Sequence, residues 1–245
     1  MNNTFNHLIN GKPKIAILID PEKNTDAPAF SARLQNYIAG CPDLFLIGGS
    51  TATRRQTEQC IERIKKVSNL PIVLFPGSSE QFSSNAHGVL YLNFISSRNP
   101  KYLIEEQINS AEEIYTSGID CISTGYLLID GGTRTSTARV TQSTPMSQQD
   151  VSYIYSTALA GCLMGHSAIY LDAGSGATHP VSEAIITEIA AIAKLLIVGG
   201  GIRTVPSIQK AHAAGAKIVV IGNHLEENPS FAQEIAAYQQ QFQAH

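Results

Sequence analysis

The sequence predicts an α/β fold, a single (β/α)8 TIM barrel with an irregular third βα unit, and three observations carry that prediction. Eight short runs rich in Ile, Val, Leu and aromatics recur along the chain, each almost continuously apolar, as parallel strands buried on both faces are. Amphipathic stretches of helical period separate most of them. The length of 245 residues matches one such barrel, roughly 250 residues. Strict alternation leaves an open doubly wound sheet as the alternative.

The strand runs, in order, are KIAILID (14–20), DLFLIGG (43–49), PIVLFPG (71–77), VLYLNF (89–94), IDCISTGYLLI (119–129), AIYLDAG (168–174), LLIVGGG (195–201) and KIVVIGN (217–223). Helices are expected over 53–68, 101–118, 147–165, 182–194 and 204–215. Ser182 is placed to cap one of them, and Gly215 to end another. Two units depart from the pattern. Residues 78–88 are short and polar, so the third helix should be stunted. Residues 130–145 form a long Thr/Ser/Gly-rich excursion after the fifth strand, of a length usually found as a mobile lid or as disorder. No linker interrupts the chain, so 1–245 is read as one domain.

Hydrophobic residues make up 43% and charged ones 15%, a core-rich balance suited to a doubly covered sheet. A net charge of −3 leaves no footprint for nucleic acid or an anionic membrane, and the sparse charge leaves room for a homo-oligomer. Cys41, Cys60, Cys121 and Cys162 form no CxxC pair, which argues against a zinc site or disulfide framework. The first residues carry no apolar signal core, and no apolar run approaches the roughly 18 residues of a membrane span. A soluble, cytoplasmic, reduced protein with no integral membrane segment is expected.

Barrel chemistry gathers in the loops after the strands. There the chain places Asp20-Pro21-Glu22-Lys23, Gly48-Gly49-Ser50-Thr51, Asp172-Ala173-Gly174-Ser175-Gly176, Gly199-Gly200-Gly201 and Gly222-Asn223. Gly200 and Gly201 after strand seven, with Gly222 and Asn223 after strand eight, occupy the usual phosphate position, where bare N–H groups can approach an anion. The competing reading is a tight βα turn. Strand alternation sends Tyr170 and Asp172 to the same side, so a phenol and a carboxylate face a hydroxyl substrate, or else Asp172 merely caps the next turn. Asp20 with Ser50 suits the oxygen preference of Mg2+, or Asp20 caps the following helix. Asp43 and Asp120 begin strands and belong to the opposite, stability-bearing face. His7, His87, His166, His179, His212, His224 and His245 show no ligand spacing, and most read as surface residues; His179 stays unassigned.

LIDPEK (18–23), IGGST (47–51), GYLLIDGG (125–132), YLDAGSGA (170–177), VGGGIR (198–203) and IGNHLEE (221–227), taken in order, resemble the geranylgeranylglyceryl phosphate synthase and heptaprenylglyceryl phosphate synthase family. The likeness runs from about Lys14 to Glu227. It implies a prenyltransferase that joins sn-glycerol 1-phosphate to a polyprenyl diphosphate, most simply geranylgeranyl diphosphate, with loss of pyrophosphate. By that resemblance Asp20 and Ser50 are the Mg2+ ligands. Glycerol 1-phosphate falls to Tyr170, Leu171, Asp172, Ala173, Gly174, Ser175, Gly176, Gly200, Gly201, Gly222 and Asn223. Asp172, with Tyr170 beside it, is the candidate to take the hydroxyl proton. The family commonly has Glu at that place, one methylene longer. An apolar groove must take the tail, and Phe75, Tyr91, Phe94 and Tyr126 are candidates to line it. The rival readings are a phosphosugar isomerase, which shares the GGGIR-like and IGN-like loops, and a barrel that only binds a phosphorylated ligand.

Overall fold

In the computed structural model, which describes residues 3–241, eight parallel strands close in chain order. They are β1 (Lys14–Ile19), β2 (Leu44–Ile47), β3 (Ile72–Leu74), β4 (Gly88–Asn93), β5 (Asp120–Leu128), β6 (Ala168–Asp172), β7 (Leu196–Gly199) and β8 (Ile218–Ile221), with β8 pairing β1 to complete the ring. The open sheet is excluded. Successive side chains point to opposite faces of a strand. One set, including Ile15, Ile17 and Ile19 of β1 and Val219 and Ile221 of β8, packs outward beneath the helices. The other, including Ala16, Leu46, Val73, Leu90, Tyr126, Tyr170, Ile197 and Val220, fills the barrel. Both sets are apolar, which is why the strands read as continuous runs.

The helices are α1 (Asn3–Ile9), α2 (Ala27–Ala39), α3 (Arg54–Lys65), α4 (Glu106–Ser117), α5 (Ser136–Thr141), α6 (Val151–Leu163), α7 (Glu183–Ala190), α8 (Val205–Ala213), α9 (His224–Glu227) and α10 (Phe231–Gln240). A reciprocal capping box between Thr53 and Gln56 starts α3. A π turn over Lys101–Glu105 leads into α4. Gly215 follows α8 in the left-handed region (φ 107°), as its place in the sequence predicts. Ser182 does stand at the N-cap of α7, but its side chain makes no cap bond; its N–H instead donates to Gln148 Oε1 at 2.8 Å.

The third unit is irregular as expected: between β3 and β4 lies only a 3-10 turn, Ser79–Gln81. The excursion after β5 differs from its reading as a loose segment. Thr135 caps α5 by accepting from the Ala138 N–H at 3.1 Å, and its side chain is buried against Gly174. Of the two readings, lid or disorder, the segment is ordered: a short capped helix lies at the barrel mouth. At the floor, Asp43 accepts from the Ile15 N–H at 2.8 Å and from Gln239 Nε2 at 2.7 Å, and pairs with Lys12 at 3.3 Å. Asp120 accepts from the Thr4 N–H. Both carboxylates therefore tie α1 and α10 to the underside, away from the mouth. His245 lies outside the described residues.

Candidate active site

A cavity of about 490 Å3 opens at the C-terminal ends of the strands. Gly174, Ser175 and Gly176 after β6, Gly200 and Gly201 after β7, and Gly222 and Asn223 after β8 all line it. Gly174, Gly176, Gly200 and Gly201 lie in the left-handed region, with φ between 70° and 86°. No residue with a Cβ adopts that shape cheaply. At Gly200 the chain has no room either, since a Cβ would stand 2.5 Å from the Gly174 nitrogen. The β6 and β7 loops are thus in backbone contact. Asn223 ties in two more: its Nδ2 donates to Ser175 Oγ at 2.5 Å, and its Oδ1 accepts from Lys23 Nζ at 2.9 Å. Loops from β1, β6, β7 and β8 form one cradle.

Asp20 ends β1 against Gly49, where a Cβ would fall 2.4 Å from its Oδ1. The carboxylate thus occupies space that only a glycine leaves, with Ser50 next in chain and also in the cavity wall. Burial pushes the Asp20 carboxyl above its ordinary range, opposed by the Glu22 N–H bond at 3.0 Å and by Lys23. An acid kept out of water and without a salt-bridge partner among the described residues is where a divalent cation gains most. One carboxylate and one hydroxyl leave most positions to water and substrate, the habit of Mg2+. The donor set fits that ion, although no cluster of three or more His, Cys, Asp or Glu occurs among the described residues.

On the opposite strands Tyr126 and Tyr170 sit side by side in register on β5 and β6. Phe75 stacks on Tyr170 with centroids 4.9 Å apart, and Phe94 meets Tyr126 edge-on at 4.9 Å. Asp172 projects from the top of β6 into this aromatic wall. It accepts from Tyr126 Oη at 2.6 Å and from the Gly174 N–H at 2.7 Å. Burial raises the Asp172 carboxyl, and these two bonds act against it. Burial likewise pushes both phenols well up, so they are donors and not anions at neutral pH.

Two residues assigned to the substrate by resemblance have side chains that do not face the cavity. Leu171 and Ala173 alternate away from the mouth and are buried in the outer layer, absent from the cavity wall. Tyr91 also turns outward: its phenol donates to the Gln107 carbonyl at 2.6 Å. It nevertheless borders an extension of the cavity between β4 and α4, with Phe82, Val89 and Ile114. The space exists because no α-helix follows β3. His179 is exposed beside Gly132 and does not line the cavity. Lys23 and, from α5, Ser136, Thr137 and Arg139 also line the cavity; their loops are marked in the sequence, the individual side chains are not.

Fold and mouth define a (β/α)8 barrel whose glycine cradle is of the kind that receives phosphate esters. The PcrB family model matches residues 9–240, and the chain belongs to that family. It is 45% identical over 216 residues to a geranylgeranylglyceryl phosphate synthase of Zunongwangia profunda, covering 88% of this chain and 92% of that one. Among solved structures it is similar to wild-type GGGPS from Thermoplasma volcanium (TM-score 0.86, 30% identity, 97% of each chain). It is also similar to (S)-3-O-geranylgeranylglyceryl phosphate synthase from Thermoplasma acidophilum in complex with sn-glycerol-1-phosphate (TM-score 0.87, 25% identity, 97% of this chain and 98% of that one).

Proposed function

We propose that this chain is a prenyltransferase that makes an ether between sn-glycerol 1-phosphate and a polyprenyl diphosphate, geranylgeranyl diphosphate above others, acting as one domain with Mg2+. The observation that carries the reading is a single cavity that holds the glycine cradle, a half-buried acid on β1 and an apolar extension beside α4. A phosphate ester, a diphosphate and a hydrocarbon tail each have a matching wall. The names of the relatives support the substrate pair and the tail length.

In this reading the phosphate of glycerol 1-phosphate lies against the amides of Ser175 and Gly176, Gly200 and Gly201, and Gly222 and Asn223, with Gly174, whose N–H is taken by Asp172, turning the loop toward it. Lys23, held by Asn223, adds a positive charge at the rim. Asp20 and Ser50 would hold Mg2+, which when bound supplies positive charge against the departing pyrophosphate. Asp172 takes the proton of the glycerol 3-hydroxyl while its oxygen bonds to C1 of the prenyl group and the C1–O bond to diphosphate breaks. Tyr170 orients the glycerol beside it. The aromatic wall of Phe75, Phe94 and Tyr126 keeps water from the allylic centre, and the β4–α4 extension takes the tail. The exposed Ile104 of the π turn, with Ile108 and Tyr115 of α4, offers a face for self-association.

Protein incubated with labelled glycerol 1-phosphate, Mg2+ and prenyl diphosphates of several lengths should yield an extractable ether lipid, best with the C20 donor. Asp20→Ala should lower the rate at least about a hundredfold and leave the circular dichroism spectrum unchanged. Absence of ether product at every tail length overturns the reading, and an unaffected Asp20→Ala rate overturns the metal assignment.

A further inference from the structure

We infer that Tyr126 is the positioning residue for Asp172; this rests on Asp172 being the proton acceptor proposed above. Each carboxylate oxygen is held by one donor: Oδ1 by the Gly174 N–H at 2.7 Å, Oδ2 by Tyr126 Oη at 2.6 Å. Two bonds to different oxygens fix the plane of the group, and each oxygen keeps a lone pair for a substrate hydroxyl. The final torsion of an Asp is otherwise broad. A donor on only one oxygen would leave the base free to swing. The backbone donor belongs to a left-handed glycine (φ 86°) that is itself fixed by the loop. The phenol is therefore the part of the clamp that the side-chain sequence controls.

Tyr126 is well placed for this task. Its ring is locked by Phe75, Phe94 and Tyr170. An Asp suits such a clamp because its short side chain keeps the carboxylate near the strand, within reach of a phenol on the neighbouring strand. The groups beside Asp172 carry no charge: the Tyr170 phenol on β6 and Gly199, its register partner on β7.

The test uses full-length native protein, Tyr126→Phe and Asp172→Asn. Carboxyl carbons of labelled aspartates are titrated by NMR, with the Asp172 signal assigned by its loss in Asp172→Asn. Tyr126→Phe keeps the ring packing and should move the Asp172 titration up by about one pH unit. The acid limb of kcat/KM should move with it, and kcat should fall about tenfold. Calorimetric affinity for glycerol 1-phosphate alone should change less than about threefold. An Asp172 titration and pH profile unchanged in Tyr126→Phe overturn the inference. So does a loss confined to glycerol phosphate affinity, which would make Tyr126 a substrate contact. If native protein forms no ether, the proposed function falls, while the NMR titration still decides whether Tyr126 controls Asp172.

Discussion

Asp20 and Asp172 share a physical situation and differ in how it is relieved. Burial raises both carboxyls; Asp172 has two short donors to offset it, Asp20 only the longer Glu22 N–H bond and the nearby Lys23 charge. A carboxyl whose folded pKa lies above its unfolded value loses stability once it ionises. The cost is absent below the unfolded value, near 3.8, and grows as the pH climbs through the raised folded one. Asp20→Asn should therefore unfold at a higher temperature than the native protein at neutral pH in EDTA, with the gap narrowing toward pH 4. Added Mg2+ should raise the native melting temperature and leave Asp20→Asn where it was, because a ligand stabilises only the state that binds it. Calorimetric scans with and without Mg2+ across that pH range check both statements. A native melting temperature indifferent to Mg2+ would remove Asp20 from the metal assignment.

The loops divide into glycines that the backbone requires and glycines that the ligand requires. Gly200 is the first kind: its φ is 82°, and a Cβ would meet the Gly174 nitrogen at 2.5 Å. Gly222 is the second: its φ is ordinary, and the nearest atoms to a Cβ are those of Leu18 at 3.9 Å. Gly200→Ala should cost on the order of 3 kcal/mol of stability. Gly222→Ala should melt with the native protein yet raise KM for glycerol phosphate several-fold, since its methyl projects into the cradle. Thermal unfolding beside steady-state kinetics separates the two. The strand ends were readable because most of the apolar runs stop at Gly or Asp, and that punctuation is local. What joins strands was not. Tyr126 sits in an eleven-residue apolar run and reads as core or tail wall. Its bond to Asp172 depends on the β5–β6 register, which one sequence does not supply. α5 was hidden for another reason: Ser, Thr and Gly composition signals a loop, and only the burial of Thr135 against Gly174 turns it into a helix with a seat. Leu171 and Ala173 were carried along by the motif containing them, although alternation alone turns them away from Tyr170 and Asp172.

At the scale of the whole molecule, chemistry and cohesion occupy opposite ends of the barrel. The mouth collects glycines and acids that burial strains, whereas the floor collects satisfied polar contacts around Asp43, Asp120 and His212, whose ring nitrogens pair with Tyr238 Oη at 2.9 Å and the Lys14 carbonyl at 3.2 Å. Asp43→Ala would strand the Ile15 N–H and take one partner each from Lys12 and the Gln239 amide at once. A loss of about 2–4 kcal/mol is expected, with KM for both substrates unchanged, as denaturant titration and kinetics on the same preparation would record. No helix of the described residues is long and apolar enough to cross a membrane. The floor has a further consequence. Lys12 Nζ lies 2.9 Å from Gln239 Oε1, so the segment that enters β1 and the helix that follows β8, α10, meet beneath the ring. Covalent order is then nearly arbitrary. A circular permutant, spliced across that junction and reopened in the floor turn at 66–71, keeps every neighbour in the barrel and leaves the mouth untouched.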